Sequence, residues 1–154
     1  MESLIGAVEE ISSDLPVLFP AHPRTAQRLQ PAIESSQRRL RIVEPFGYLD
    51  FLALQAGAAL VLTDSGGIQE ETTALGVPCL TLRESTERPI TVTEGTNRVI
   101  GTRADDIVTA ARTVLRDGVE KRRPLLWDGH AGERVAEVIM TSHSAIDRKR
   151  PTDL

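Results

Sequence analysis

Aromatic residues and cysteine are both scarce in this 154-residue chain. Aromatic residues make up 3% of it, and Cys79 is the single cysteine. One cysteine cannot form a disulfide within the chain, which excludes a disulfide-stabilised scaffold. Because Cys79 lies in a short apolar run that predicts a buried strand, we interpret it as a structural, reduced thiol rather than a catalytic one.

The chain also lacks long apolar runs and a concentrated basic face. No segment approaches the roughly 20 apolar residues that a membrane-spanning helix needs, and no signal-peptide pattern precedes the first predicted helix. The formal net charge of -4, with Lys and Arg spread along the chain, argues against a nucleic-acid partner. We therefore expect a cytoplasmic protein with neither a membrane nor a nucleic-acid partner.

Metal-binding clusters, nucleophile triads and dinucleotide-binding fingerprints do not occur in the sequence, so we expect neither a metal site nor a cofactor. Hydrophobic residues at 40% and charged residues at 26% are typical of a globular protein. The length suits one domain with a proper core. We expect that domain over residues 1–146 and a disordered tail over residues 147–154.

Short apolar runs alternate with segments of helical period. The predicted strands cover residues 16–19, 40–43, 58–63, 78–82 and 98–101, and the predicted helices cover residues 3–12, 25–34, 48–56, 68–75, 104–116 and 133–146. Thr25 can cap the second helix and Pro31 can end it early. This alternation predicts an α/β fold with a doubly wound, mainly parallel sheet, whose ligands bind beyond the carboxyl ends of the strands.

The segment 63–71 reads as a strand end, a Ser-Gly-Gly turn and the start of a helix. Such a turn leaves backbone N–H groups free at a helix N-terminus, where they favour an anion such as a phosphate. Glycines at Gly66 and Gly67 let a ligand approach the backbone closely. A carboxylate at Glu70 or Glu71 could accept hydrogen bonds from ribose hydroxyls. An ordinary turn with acids suited to the helix dipole explains the same residues, and both interpretations stay open here.

Several of these segments, in this order, resemble the non-hydrolysing UDP-N-acetylglucosamine 2-epimerases. The matching segments are 19–25, 44–51, 64–71, 74–78, 81–89, 94–97 and 128–131 with Arg134. The resemblance extends over roughly residues 1 to 140. It implies the C-terminal, Rossmann-like half of the two-domain GT-B fold of that family.

The resemblance assigns roles to the glycine turn and to a distant arginine. It implies that the phosphates of UDP meet Ser65, Gly66 and Gly67 with Arg88 opposite. Without it, Arg88 would be an exposed ion-pair partner of little energetic value. The resemblance also implies that Glu71 binds the ribose, with Glu70 as its less favoured substitute.

Three other residues gain a role only through the resemblance. His22 would by itself be a polar loop residue, and Phe46 and Phe51 would be core residues. The resemblance implies that His22 lies near the diphosphate and takes part in catalysis, and that Phe46 (through its backbone) and Phe51 (through its ring) line the uracil pocket. The residues after His22 depart from the pattern of many members, which leaves the sugar open.

The implied reaction interconverts UDP-N-acetylglucosamine and UDP-N-acetylmannosamine by elimination and re-addition of UDP. The family's acid–base carboxylates belong to an N-terminal domain that this chain lacks, so we expect UDP or UDP-sugar binding without turnover until that domain is supplied, in the same gene product or as a separate chain. Assembly as a homodimer stays open. Two alternatives remain: a stand-alone UDP or UDP-sugar binding module, and half of a GT-B glycosyltransferase.

Overall fold

A computed structural model describes residues 2–34 and 39–147. In this part of the chain the elements follow the order α1 (Glu2–Ile11), β1 (Val17–Pro20), α2 (Pro23–Glu34), β2 (Leu40–Val43), α3 (Tyr48–Ala56), β3 (Val61–Thr63), α4 (Gly66–Leu75), β4 (Cys79–Thr81), α5 (Pro89–Thr93), β5 (Asn97–Val99), α6 (Ala104–Asp117) and α7 (Ala131–Asp147). The chain divides into two compact units, Met1–Arg123 and Pro124–Leu154.

All strand pairs in the first unit are parallel. Strand β1 pairs with β2, with Val17 opposite Leu40. Strands β3, β4 and β5 form a second hydrogen-bonded group, in which Cys79 lies between Val61 and Asn97. Parallel neighbours need a crossover segment, and a helix fills each connection here. The predicted parallel α/β architecture is confirmed.

The apolar core of the first unit lies between two helices and the strands. Its buried members are Ala7, Ile11, Leu80, Ile107, Val108, Ala111 and Val114, which come from α1, β4 and α6. Side chains from both strand groups, Val17 of β1 and Leu62 of β3, pack against this cluster. The two groups of strands therefore share one core.

The opposite face of β4 is polar and lies against α4. Successive side chains of a strand point to opposite faces, so Cys79 and Thr81 face away from the side of Leu80. The thiol of Cys79 interacts with the Thr72 hydroxyl of α4. With α6 on one face and α4 on the other, the β3–β4–β5 group is covered on both sides, as a doubly wound fold requires.

The structure corrects the predicted start of the second helix. Helix α2 begins at Pro23, and the C=O of His22 accepts hydrogen bonds from the N–H groups of Thr25 (2.8 Å) and Ala26 (3.0 Å). Thr25 is therefore inside the helix and not its cap. Proline suits a first helical position, because its missing N–H would have no partner there. Pro31 does not end the helix, which continues to Glu34.

Other predicted boundaries shift by a few residues. The strand expected from residue 58 begins at Val61, whose N–H donates to the C=O of Pro78 (2.9 Å) where the ladder to β4 starts. Helix α5 was not predicted, because its five residues are too few to show a helical period. Gly57 and Gly76 end α3 and α4 as expected, and Gly76 takes the left-handed conformation at φ 70°.

The second unit contains helix α7 and the segment before it. No helix in residues 2–34 and 39–147 is long and apolar enough to cross a membrane. The single domain expected over residues 1–146 stays a prediction. The tail expected over residues 147–154 lies, beyond Asp147, outside the described residues.

Candidate functional site

The glycine turn has the backbone geometry of an anion site. Ser65 precedes α4 in an extended conformation, and its side chain makes no capping hydrogen bond. Its N–H donates to Thr63 Oγ1 (3.0 Å), and its C=O accepts the first helical hydrogen bond, from Gln69 (3.2 Å). Within the described chain, the N–H groups of Gly66, Gly67 and Ile68 have no acceptor. Three donors at one helix end are therefore free for an anion.

The loop after β4 brings Arg88 onto this turn. A Cβ atom added to Gly66 would lie 3.6 Å from Arg88 Cγ and 3.7 Å from Arg88 Nε, so the arginine covers the first helical residue. The two segments meet because β3 and β4 are parallel neighbours whose carboxyl ends share one edge of the sheet. The structure thus brings together Gly66 and Arg88, which lie 22 positions apart in the sequence.

Both arginines of this loop are paired with carboxylates. Arg88 Nε lies 3.1 Å from Glu70 Oε1 on α4, and Arg83 Nη1 lies 2.9 Å from Glu87 Oε2 within the loop. The pKa of Glu87 is below its ordinary value, because its own backbone N–H and then the Arg83 guanidinium favour the charged carboxylate. A Cβ on Gly66 would lie 3.1 Å from Glu87 Oε1, so this carboxylate also borders the turn. Any anion that bound here would compete with these two acids for the arginines.

Glu71 has a different partner from Glu70. Its Oε2 accepts a hydrogen bond from Gln55 Nε2 (2.7 Å), a residue of α3 that is 3% exposed. Gln55 Oε1 is buried and has no hydrogen-bond partner among the described residues. Two carboxylates adjacent in sequence are therefore held by different elements. Glu70 is held by residues 82–88, the loop between β4 and α5 that carries Arg83 and Arg88 (the arginine loop), and Glu71 is held by α3.

Of the two aromatic residues expected around the base, Phe46 precedes α3 and Phe51 lies in its first turn. Phe51 is half-buried and stands four residues before Gln55, so both lie on the same face of the helix, one turn apart. Phe46 is 42% exposed, and Tyr48 and Leu49 beside it are 64% and 75% exposed. Gln55 contacts Glu71, the carboxylate expected at the ribose. Phe51 therefore lies one turn of α3 away from the residue that makes this contact.

His22 lies at the end of the other strand pair. It follows β1, its side chain is exposed, and its Nδ1 accepts a long hydrogen bond from the Arg24 N–H (3.4 Å). In residues 2–34 and 39–147, no hydrogen bond or ion pair joins His22 to the glycine turn or to Arg88. An open cavity of about 280 Å³ lies at this strand end and is lined by Ala21, Pro23, Ala26, Gln27, Ile42, Val43 and Glu44.

Cys79 is a buried thiol, as predicted. It is 1% exposed, and burial raises its pKa to about 11, while hydrogen bonds with the hydroxyls of Thr72 and Thr81 act in the opposite direction. A thiol with a pKa this high stays protonated at neutral pH. It therefore has little of the thiolate character that nucleophilic cysteines need.

Four polar residues of this region had no role in the sequence-based prediction: Gln55, Gln69, Thr86 and Asn97. They form side-chain hydrogen bonds that hold Glu71 and the arginine loop. One available signal was the polar stripe of Gln69, Thr72 and Thr73, which share one helix face and are all 0% exposed. Most buried polar side chains have hydrogen-bond partners, so such a stripe indicates a structured polar contact. Gln69 Nε2 and Thr73 Oγ1 are exceptions, with no partner among the described residues.

The motif before α7 forms its own ion pair within the second unit. Arg134 donates to both carboxylate oxygens of Asp128, with Nη1 at 2.9 Å from Oδ1, and the His130 N–H donates to the same Oδ1 (3.1 Å). These bonds lower the pKa of Asp128 well below its usual range, the Arg134 guanidinium first. Asp128, in the segment before α7, is thus bonded both to the His130 N–H just before the helix and to Arg134 in its first turn.

Comparison with known proteins identifies the family of this chain. A family profile described as UDP-N-acetylglucosamine 2-epimerase matches residues 1–140. The UDP-N-acetylglucosamine 2-epimerase of Methanocaldococcus jannaschii is 37% identical over 145 residues, which cover 90% of this chain and 39% of that protein. The UDP-2,3-diacetamido-2,3-dideoxy-D-glucuronate 2-epimerase of Pseudomonas aeruginosa is 38% identical over 143 residues, again 90% of this chain and 39% of the relative.

A solved structure shows the same fold. The crystal structure of the M. jannaschii UDP-GlcNAc 2-epimerase in complex with UDP-GlcNAc and UDP has a TM-score of 0.73 at 36% identity, and it covers 91% of this chain and 40% of the other. The chain spans about two fifths of the length of these relatives and corresponds to their C-terminal part. It belongs to the UDP-N-acetylglucosamine 2-epimerase family, as a C-terminal portion with the α/β half of the GT-B fold.

Proposed function

We propose that this chain binds the UDP part of a UDP-sugar and is the nucleotide-holding part of a UDP-N-acetylglucosamine 2-epimerase. One observation carries the proposal: the free N–H groups of Gly66, Gly67 and Ile68 lie at a helix N-terminus beneath Arg88. Backbone donors and a guanidinium together suit the oxygens of a diphosphate.

The phosphates displace carboxylates in this scheme. Arg88 is paired with Glu70, and both side chains are a little under half exposed. An ion pair this exposed is worth at most about 1 kcal/mol, so a diphosphate can exchange with Glu70 at small cost. The guanidinium then presents two donors to the phosphate oxygens, opposite the N–H groups of Gly66 and Gly67, with Ser65 at the entry of the turn.

The ribose and base extend from the phosphates toward α3. Glu71 stands one turn into α4 and is oriented by Gln55, which leaves its second oxygen to accept from ribose hydroxyls. Phe51 shares the helix face of Gln55 and can contact the uracil ring, while the exposed Phe46 precedes the same helix. In this arrangement the phosphates lie at the start of α4, the ribose lies at Glu71, and the base lies beside α3.

The chemical role of this chain is to hold the leaving group. In the proposed reaction a base removes the C2 proton while the C1–O bond breaks, which leaves a glycal and bound UDP. Protonation of C2 on the opposite face, with re-addition of the UDP oxygen to C1, then gives the epimer. Negative charge grows on the diphosphate as that bond breaks, and the turn and Arg88 stabilise it. We also propose that His22 lies at the cleft and takes part in catalysis; within the described residues it makes no hydrogen bond to the glycine turn.

The rest of the active site belongs to the part of the relatives that this chain does not span. Because the chain covers 39% of the M. jannaschii relative, we propose that an N-terminal domain, in the same polypeptide or a separate one, supplies the acid–base carboxylates. The P. aeruginosa relative has similar identity but is named for a different UDP-sugar. UDP-2,3-diacetamido-2,3-dideoxy-D-glucuronate is therefore a second candidate substrate. A cytoplasmic location is part of the proposal, and the single cysteine is free and buried.

Calorimetric titration of the chain with UDP, UDP-N-acetylglucosamine and ADP tests this function. We expect weak binding of both uridine nucleotides, weaker binding of ADP, and no UDP-N-acetylmannosamine from the chain alone. Adding the N-terminal part of a relative should restore epimerisation, with solvent deuterium incorporated at C2. Failure to bind UDP would refute the nucleotide site. Binding without restored turnover would support a stand-alone module, and sugar transfer to an acceptor would support a glycosyltransferase half.

A further inference from the structure

A buried amide on α4 connects that helix to the arginine loop. Gln69 is 0% exposed, and its Oε1 accepts hydrogen bonds from the Thr86 hydroxyl (2.6 Å) and from Asn97 Nδ2 (3.2 Å). Gln69 Nε2 is buried without a partner among the described residues. The oxygen is thus the part of this amide that carries the contacts.

The two donors to Gln69 each lead to the backbone of Arg88. Thr86 Oγ1, which donates to Gln69, also accepts from the Arg88 N–H (2.9 Å). On the other side, Asn97 Nδ2 donates to Thr91 Oγ1 (3.0 Å), and the Thr91 hydroxyl donates to the Arg88 C=O (2.7 Å). A hydroxyl can donate one hydrogen bond and accept others at the same time, so both chains are chemically consistent. The N–H and the C=O of Arg88 are therefore both tied to one buried pair.

The buried pair is itself anchored in the sheet. Asn97 is 3% exposed at the start of β5, and its Oδ1 accepts from the Thr81 hydroxyl of β4 (2.7 Å). Gln69 and Asn97 therefore join α4, β4 and β5 beneath the loop. Buried hydrogen bonds of this kind hold one arrangement, because breaking any of them leaves a polar group without a partner.

We propose that Gln69 and Asn97 are positioning residues for the diphosphate site, which act through Thr86 and Thr91 to hold the backbone of Arg88 above Gly66. This inference rests on the proposed function, since it concerns the residue that would meet the phosphates. Binding must order the many rotamers of an arginine side chain, which costs free energy. If the Arg88 backbone is already held in place, ligand binding has only the side chain left to order. Displacement of a positioned group by about 1 Å is enough to weaken its interactions strongly.

Thr86 provides the sharpest test, because two variants separate its hydroxyl from its shape. Thr86→Val keeps the branched shape and removes the donor to Gln69 and the acceptor for Arg88, whereas Thr86→Ser keeps both. We expect Thr86→Val to weaken UDP binding about tenfold and to leave uridine, which has no phosphates, within twofold of the parent chain. Thr86→Ser should bind both ligands nearly as the parent does. Equal losses for UDP and uridine would indicate a general structural role and overturn the inference.

Gln69→Met tests the amide itself, because it keeps the length of the side chain and removes the oxygen. If Gln69 acts through Thr86, the UDP loss in the double variant Gln69→Met, Thr86→Val should be no larger than the greater single loss. Fully additive losses would contradict the inference. Circular dichroism and thermal unfolding establish whether each variant folds. If Gln69→Met does not fold, the Thr86 variants still test the inference, because Thr86 is only partly buried.

A measurement without ligand separates this inference from the proposed function. The amide hydrogen of Arg88 should exchange with solvent at least threefold faster in both Thr86→Val and Gln69→Met than in the parent. Unchanged exchange in both would overturn the positioning role whether or not UDP binds. Faster exchange in a chain that does not bind UDP would support the positioning of Arg88 and refute the nucleotide site instead.

Discussion

Arg88 Nε lies 3.1 Å from Glu70 Oε1, and the same arginine side chain covers Gly66 at the start of the helix that carries Glu70. Arg88, the residue expected to bind phosphate, is therefore paired with a carboxylate that lies one helical turn after Gly66. Arg83 is paired with Glu87 in the same way. These ion pairs make the site less attractive to an anion than its free N–H groups alone would be. The two pairs can be tested separately.

Glu70→Gln should strengthen UDP binding. The change removes the competing carboxylate, and since an exposed ion pair contributes at most about 1 kcal/mol, we expect a gain of about two- to fivefold. Calorimetry at low salt measures it. Asp105→Asn, an exposed change of the same charge on α6, is the matched control and should shift affinity much less. A loss of affinity in Glu70→Gln would show that Glu70 itself contacts the nucleotide.

Gly66→Val should weaken UDP binding at least tenfold, about 1.4 kcal/mol. The added carbons would stand between the phosphates and the backbone donors, and the Glu87 carboxylate, 3.1 Å from the new Cβ, would have to move. Gly6→Ala is the control, because a Cβ there meets no atom within 4 Å. Unchanged UDP affinity in a folded Gly66→Val chain would count against the site.

Gln55→Leu should weaken UDP and uridine by similar factors, about threefold or more. Glu71 would lose the donor that orients it, and both ligands carry the ribose that Glu71 is proposed to bind. Gln55→Glu should have a larger effect, because two carboxylates would then face each other. Titration followed by NMR measures both ligands under the same conditions. A loss confined to UDP would place Glu71 at the phosphates and contradict the ribose assignment.

Gly95→Ala should destabilise the fold by about 1–3 kcal/mol, the usual cost of overpacking. A Cβ on Gly95 would collide with the Thr91 C=O and lie 2.6 Å from Thr73 Cγ2 and Oγ1, and the Thr91 backbone cannot move without disturbing α5. Urea unfolding measures the free energy. Gly6→Ala again serves as control and should leave stability unchanged or raise it by up to about 1 kcal/mol. Equal stability of both variants would refute the predicted contact.

The start of α7 should depend on pH through Asp128. Because the folded pKa of Asp128 is depressed, its contribution to stability is present above the unfolded pKa of about 4 and is lost as the pH falls through the folded pKa. NMR chemical shifts of residues 131–135 should lose helical character below about pH 4. Asp128→Asn should show no transition of this origin in that window, and an identical acid transition in both proteins would assign it to another group.

The sequence by itself determined the alternation of strands and longer helices, the parallel architecture, the glycine turn and the family. These properties depend on short-range causes: apolar period, the conformations open to Gly57, Gly76 and the Ser-Gly-Gly turn, and the length of the crossovers. The motifs stand in one order along the chain, and this order is enough to identify the family. The five-residue helix α5 was missed, because a single turn carries no period.

Only the tertiary structure decided which side chains meet. Gln55 and Glu71 are 16 positions apart, and Thr86 and Gln69 are 17 apart, so neither hydrogen bond has a local signature. The residue pattern alone left Glu70 and Glu71 open, and only the family resemblance favoured Glu71. Adjacent residues of a helix point in directions about 100° apart, so the packing of neighbouring elements assigns each direction a partner. Packing placed Arg88 beside Glu70 and Gln55 beside Glu71, because parallel pairing of β3 with β4 and contact of α3 with α4 bring those segments together.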